Sequence, residues 1–287
     1  MDGFICVLKP PGMTSNNAVY DVRRVFGVKK VGHLGTLDPG AAGVLPVSIG
    51  RATRLFDYLI EKEKTYVCEI LFGIRTDTLD VFGKVTERDT DRTVTEQELL
   101  SVLPAFTGEI WQTAPAYSAL NVDGVKMYKL ARAGGEVPER RRLISVPKIE
   151  LVRQMGENRF LLRVTCSKGT YIRKLCEDIG DRLGASACMA FLLRTGTGMF
   201  QSGRGYTIRE LEEMKQEGTL QSALISCEEA LSGYDILQLK SDRRIPAMNG
   251  LETDVRGKDG IYRFYSDGFL GLGEVRNGKA RLLVHLY

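Results

Sequence analysis

Hydrophobic and polar positions repeat with two different periods along this chain, and the switches between them outline its elements. Residues 4 to 8 read as a short strand, and Val19, Val22 and Phe26 share one face of a helix over 15 to 26, capped near Thr14 or Ser15 and stopped by Gly27. Ala52, Leu55, Phe56, Leu59 and Ile60 recur at helical spacing, and Tyr66 to Phe72 reads as a half-buried strand. Thr95 with Glu98 forms a capping box ahead of Leu99, Val102, Leu103 and Phe106. Residues 112 to 142 then lose periodicity around one short helical piece, with Pro115, Asp123-Gly124, Gly134-Gly135 and Pro138 marking a surface excursion. Strand patterns return at Lys148 to Arg153 and Arg159 to Ser167, joined as a hairpin by Gly156-Glu157-Asn158. Ile172, Leu175, Cys176, Ile179 and Leu183 form the next helix face, and a strand covers about Ala187 to Arg194. Thr207 with Glu210 and Ser226 with Glu229 give two further capping boxes. From Tyr234 onward the pattern is of short strands divided by Asn249-Gly250, Asp267-Gly268 and Asn277-Gly278, which predicts a small β-rich appendage.

One segment fits neither period. Gly32 to Pro46, GHLGTLDPGAAGVLP, holds one His and one Asp among glycines that let the backbone turn and approach a ligand, while Pro39 drives Asp38 into an extended conformation. The plain alternative is an Asp-Pro-Gly turn with no chemistry.

With 287 residues, 43% of them hydrophobic and 26% charged, the chain has room for one large domain and a small one. Lys9 and Pro10 interrupt the start before a signal-like run develops, and no apolar run reaches spanning length, so a soluble cytoplasmic protein without membrane association is expected. Six scattered cysteines without a C-x-x-C pair and only two histidines, His33 and His285, argue against a metal site and a disulfide framework and for buried reduced thiols. The net charge of +4 is unevenly placed: residues 126 to 148 carry Lys126, Lys129, Arg132, Arg140, Arg141, Arg142 and Lys148 against Glu136 and Glu139, a local +5 on a body of −1. Such a stripe suits phosphate, although basic loops are often only solvated. Neither G-x-x-x-x-G-K-[ST] nor G-x-G-x-x-G nor G-x-S-x-G occurs, which argues against nucleotide cofactors and a serine hydrolase.

In order along the chain stand KPPGMTS (9 to 15), the glycine loop, GRATRL (50 to 55), KTY (64 to 66), GIRTDTLD (73 to 80), YSAL (117 to 120) and SKGTYIR (167 to 173). This series resembles the bacterial TruB family of tRNA pseudouridine synthases over about residues 3 to 200. The tail, with DGFLGLGEV at 267 to 275, is similar to the small PUA-type RNA-binding domain of those enzymes. The resemblance implies an α+β catalytic domain, residues 1 to 234, around a mixed sheet, and a PUA-like β domain, residues 235 to 287. It implies isomerisation of a uridine in the T loop of tRNA, at the position numbered 55, without cofactor or metal. Asp38 matches the catalytic aspartate, Tyr66 the tyrosine that stacks on the target base, Arg173 the arginine paired with the aspartate, and His33 the histidine that enters the RNA fold.

The chemistry fits those assignments. A base inside a folded loop must be flipped into a pocket of aromatic and polar groups, which Tyr66 and Tyr171 supply, and moving its glycosidic bond to carbon 5 calls for a carboxylate nucleophile, for which Asp38 is the loop's candidate. Taken without the family, Tyr66 reads as a core aromatic and His33 as an ordinary loop residue. Lys9, Lys126 and Arg142 are further candidates for contact with RNA, the last two within the basic stripe. The T arm of tRNA is the expected partner and a monomer the expected form, with no obligate protein partner. The sequence departs from the family pattern at Leu34 and at Ala41-Ala42, where a hydroxyl is usual, and at PAYSALN, which lacks a second Pro and the terminal Lys that would meet a backbone phosphate. Two other readings stay open: a pseudouridine synthase for another RNA, and an RNA-binding module or tRNA-folding chaperone in which Asp38 is incidental.

Overall fold

In the computed structural model, residues 1–60, 62–89, 91–118, 120–122, 124–135 and 137–287 are described. Ala119 of YSAL, Asp123 of the Asp123-Gly124 turn and Glu136 of the basic stripe lie outside them.

The mixed sheet expected from sequence is formed by strands in the spatial order Gly3–Lys9, Ala42–Ile49, Ala187–Thr197, Lys64–Phe72, Arg159–Cys166, Lys148–Gly156. All neighbours are antiparallel except Ala187–Thr197 and Ala42–Ile49, which touch in parallel only at Leu193–Ala42 and Arg194–Gly43. The remaining edge of Ala42–Ile49 is taken by the short strand Val31–His33, whose His33 lies opposite Val47. One edge is thus split between two partners, and residues 34 to 41, which lead from Val31–His33 back into Ala42–Ile49, form a loop beside that split.

Alternation along the strands feeds two cores. Ile5 and Val7 of the first strand join a cluster with Val19 and Val22 of the helix Ser15–Phe26, Leu99, Leu175, Ile179 and Leu211. Phe4 and Cys6, one residue out of phase, join Phe200, Ile225 and Leu231 on the other face. Leu272 and Val284 of the C-terminal sheet enter this second cluster, so that sheet packs on the large one. The C-terminal sheet runs Asp235–Gln238, Gly260–Tyr265, Phe269–Arg276, Lys279–His285, Thr253–Asp254 and has its own core around Leu239, Phe264, Leu270 and Leu282.

Thr14 caps the helix Ser15–Phe26 through the Asn17 amide and Gly27 closes it at φ 66°. The Thr95 and Thr207 capping boxes form reciprocally, whereas Ser226 accepts from the Glu229 amide while the Glu229 carboxylate pairs with Arg204. The segment from Ala52 to Ile60, expected to be helical from its spacing, lies in a 3₁₀ turn Gly50–Leu55 followed by a single α-turn Phe56–Leu59. The three-residue period aligns Ala52 and Leu55, both fully buried, on one face. Asn249-Gly250 ends a short helix, Arg244–Met248, instead of separating strands. Asn277-Gly278, with φ 51° and 73°, makes the hairpin turn its sequence predicts. The excursion is more ordered at its base than its sequence suggests, because Gly108–Thr113 pairs antiparallel with Arg141–Val146. Its inward positions include Gln112 and Arg142, so the apolar alternation that would mark these strands is broken. The helical piece expected within the excursion is Met127–Arg132.

Candidate active site

The loop over the sheet split is held from below. The Ser15 hydroxyl donates to the Leu37 carbonyl at 3.0 Å and accepts from the Leu37 amide at 2.9 Å; the Gly12 amide donates to the Pro39 carbonyl at 2.8 Å. Lys9, 1% exposed, donates to the carbonyls of Pro10, Met13 and Pro39. KPPGMTS is therefore the bed on which the glycine loop lies. Burial lowers the Lys9 ammonium to about 8, against the opposing charge of Asp38. Its three acceptors are backbone carbonyls, which gives Lys9 the task of tying two loops together.

Asp38 stands at the crest, with its side chain 40% exposed. Arg173, in the first turn of the helix Ile172–Leu183, donates from Nε to Asp38 Oδ2 at 2.9 Å. Its other nitrogens donate to the carbonyls of Thr78 at 2.9 Å and Tyr117 at 3.1 Å, so GIRTDTLD and YSAL both help to aim the guanidinium. Asp80 Oδ2 is 3.9 Å away and is itself held by the Thr78 hydroxyl and the Phe82 amide.

Below Asp38 opens a cavity of about 310 Å³ lined by Tyr66, Tyr171, Lys64, Leu192, Arg173 and Arg194 among others. Tyr66 lies directly across the ladder from Arg194, the two sharing one face of the sheet. Burial pushes the Tyr66 phenol up, with the Arg194 guanidinium opposing. Tyr171 is gripped at its backbone by Gln112, which donates to its carbonyl at 3.1 Å and accepts from its amide at 2.8 Å. Arg142 covers the Tyr171 ring at 5.3 Å and donates to the Gly169 carbonyl. Gly169 sits at φ 79°, a backbone conformation that glycine takes without strain, and a Cβ there would also press on that guanidinium.

A second cavity of about 710 Å³ lies on the other side of Asp38 and shares Thr36, Leu37, Asp38, Tyr117, Ser118, Arg173 and Leu192 with the first. His33 lines it, with Nδ1 buried and unpartnered, and burial followed by the charge of Arg194 lowers its basicity. Asp38, Tyr66, Arg173 and Tyr171 thus converge, His33 faces the adjoining space and Arg142 lies at the rim. Lys126, in the two-residue strand Val125–Lys126, lines neither cavity. Leu34 is buried in the second core, so that position presents nothing to solvent.

Arg194 had no place in the sequence reading. It is fully buried, donating from Nε to the Val44 carbonyl at 2.6 Å and from Nη2 to the Gly35 carbonyl at 3.1 Å, and it ties both ends of the Asp38 loop to the sheet. Among the described residues no carboxylate pairs with it. The available signal was a lone cation in the apolar strand ACMAFLLRTGT.

The described acids Glu177, Asp178 and Asp181 come close enough to share a cation, but Arg75 and Lys174 already pair with them. No described helix is long and apolar enough to cross a membrane. All six cysteines are free and buried.

Known proteins place this arrangement in a class. Over 99% of its length the chain superposes, with a TM-score of 0.76 and 24% identity, on 85% of a chain from an H/ACA ribonucleoprotein bound to a substrate RNA containing 2'-deoxyuridine, which establishes a shared fold. A protein of Pelotomaculum thermopropionicum named tRNA pseudouridine synthase B is 44% identical over 84% of this chain and 78% of its own. One of Clostridioides difficile with the same name is 38% identical over 96% and 95%. The class is that of the pseudouridylate synthases, enzymes that isomerise uridine. The family model for the TruB pseudouridylate synthase N-terminal domain matches residues 23–172 and that for the tRNA pseudouridylate synthase B C-terminal domain residues 173–232. The chain belongs to the TruB family.

Proposed function

We propose that this enzyme isomerises the T-loop uridine of tRNA at position 55, flipping the base into the cavity beneath Asp38 and using Asp38 as nucleophile. The observation that carries the reading is the Asp38–Arg173 pair at the mouth of a cavity walled by Tyr66 and Tyr171. At about 310 Å³ the cavity is at the lower end of small-ligand pockets, about 300–1,000 Å³, a size for one nucleoside and not for a helix. The target nucleotide therefore leaves its stack before reaction, and unstacking costs a few kcal/mol by order of magnitude.

In the isomerisation the bond from C1′ to N1 breaks, a bond from C1′ to C5 forms, and the C5 hydrogen leaves as a proton while N1 gains one. Atoms balance without a redox partner. With an Asp38 oxygen attacking C1′ as N1 leaves, the exchange divides into two steps: the ester holds the sugar while the cavity walls hold the freed uracil as it turns, and C5 then displaces the carboxylate. Arg173 holds the attacking oxygen on a fixed line, and Tyr66 packs against the base plane. His33 and the second cavity receive the RNA displaced around the target, while Lys126 and Arg142 meet backbone phosphate. The division into residues 1 to 234 and 235 to 287, with the second unit as an RNA-binding domain, belongs to the same reading, as do the monomeric and cytoplasmic states. The relatives named tRNA pseudouridine synthase B, at 38–44% identity, favour tRNA over another RNA as the substrate.

The test uses the full chain, without cofactor, on an unmodified tRNA transcript labelled with tritium at uridine C5. Tritium release together with a single carbodiimide-mapped site in the T loop is expected, and Asp38→Asn is expected to abolish release while still binding tRNA. Modification elsewhere overturns the substrate, and full release by Asp38→Asn overturns the nucleophile.

A further inference from the structure

We propose that the outer face of the two-stranded sheet Gly108–Thr113 and Arg141–Val146 is a stacking platform for an unpaired nucleobase of the substrate RNA outside the base cavity, with Trp111 as the surface. The proposal rests on the RNA-modifying reading above. In this pairing Trp111 lies opposite Leu143, and both are largely exposed, at 62% and 50%. The Arg141 guanidinium sits 5.8 Å from the Trp111 ring centroid. An indole and a leucine side by side on an open sheet face, with an arginine beside the indole, present a flat aromatic surface with a charged neighbour.

On the inner face of the same sheet, Ile144 and Val146 pack in the main core, and the end next to the active site is formed by Gln112 on the Tyr171 backbone and Arg142 on the Tyr171 ring. Trp111 is the chain neighbour of Gln112 and Arg141 that of Arg142, so the platform is continuous with the rim of the cavity and separated from it by one sheet thickness. Charge favours RNA as the occupant: the basic stripe that contains Arg140, Arg141 and Arg142 carries a local +5. Aromatic faces accept any base, and an arginine beside them adds a phosphate contact.

Trp111 is the only tryptophan of the chain, so its fluorescence reports on this face alone. Titration of the full protein with unmodified tRNA transcript is expected to quench that emission saturably, whereas a blunt RNA duplex without unpaired bases is expected to leave it unchanged. Trp111→Ala is expected to weaken tRNA binding and raise KM by about 5- to 100-fold, and Trp111→Phe to keep most of the affinity. Unquenched emission at saturating tRNA with an active enzyme overturns the platform and reassigns the patch to a protein contact. Equal quenching by the duplex, or an unchanged KM in Trp111→Ala, also overturns it. Loss of the functional reading looks different, because wild type then releases no tritium from tRNA.

Discussion

Arg173→Lys separates the alignment of Asp38 from the rest of the site. Arg173 has three acceptors in three directions, Asp38 Oδ2 and the carbonyls of Thr78 and Tyr117, and its side chain is 7% exposed. A lysine ammonium is a single point on a flexible stem and cannot reach acceptors spread over a guanidinium plane. If it keeps Asp38, two buried carbonyls lose their partner at about 1–3 kcal/mol each, or about 2–6 kcal/mol together. The smaller, still charged group recovers part of that, and a net loss near 2–4 kcal/mol leaves a domain of ordinary stability, about 5–15 kcal/mol, folded. The catalytic loss follows from Asp38, whose 40% exposed carboxylate takes its direction from this one guanidinium. A lysine that keeps Asp38 holds it from one point and not along a fixed line, and a misplacement of a reacting group by about 1 Å can cost about 10²-fold in kcat, about 2.7 kcal/mol. Single-turnover tritium release should fall by about that factor while KM moves less than about threefold, because the contact is not with bound RNA. In an Asp38→Asn background, Arg173→Lys should add almost nothing further. The reasoning is refuted by a folded Arg173→Lys enzyme with kcat within threefold of wild type, or by a loss carried wholly in KM.

Three further outcomes are expected. Gly43 has φ 104°, and a Cβ there would collide with the Arg194 carbonyl across the parallel bridge, so Gly43→Ala should destabilise by about 3 kcal/mol or more, read as a shift in urea midpoint. An unchanged midpoint would show that the strands separate without cost. The basicity of His33 is lowered in the fold from its ordinary 6.5, so the unfolded chain takes up the proton first as pH falls. Its stability contribution is full above pH 6.5 and is lost as pH falls through the lower folded value; the urea stability of wild type should therefore fall relative to that of His33→Phe from pH 7 toward pH 5, and a difference constant with pH would contradict this. Replacing Lys126, Lys129 and Arg132 by Gln should flatten the slope of log Kd against log salt for tRNA by about 2–3, at about 0.7–0.9 per lost phosphate contact. An unaltered slope would remove the excursion from the RNA interface.

What the sequence revealed of this site, and what it hid, follows from where each side chain gets its neighbours. Asp38 and Arg173 stood out because each sits in a motif whose glycines, proline and hydroxyls serve a local geometry, with Ser15 against Leu37, Pro39 after Asp38 and Gly169 beneath Arg142, whereas Tyr66 reads as a core aromatic unless the family pattern is laid over it. Lys9 was legible as a residue but not as a role, since its three carbonyl acceptors come from a turn that closes only when the glycine loop lies on it. Arg194 and the pair Gln112–Arg142 were hidden because their partners come from distant strands; a register that places residue 194 beside 43 and 66, or 112 beside 142, is set by the whole sheet. The same reason explains the missed strands Gly108–Thr113 and Arg141–Val146: Ile110, Ile144 and Val146 on the inward face join the main core, but the face turns polar at Gln112 and Arg142, which meet Tyr171. A broken alternation next to an ordered motif is therefore itself a signal. At residues 112 and 142 the apolar pattern gives way because those positions hold the cavity rim, and their neighbours Trp111 and Arg141 are turned outward by the pleat. The residue that defies the pattern and the residue that stands exposed beside it have one cause, a thin sheet with a polar cavity on one side and open surface on the other.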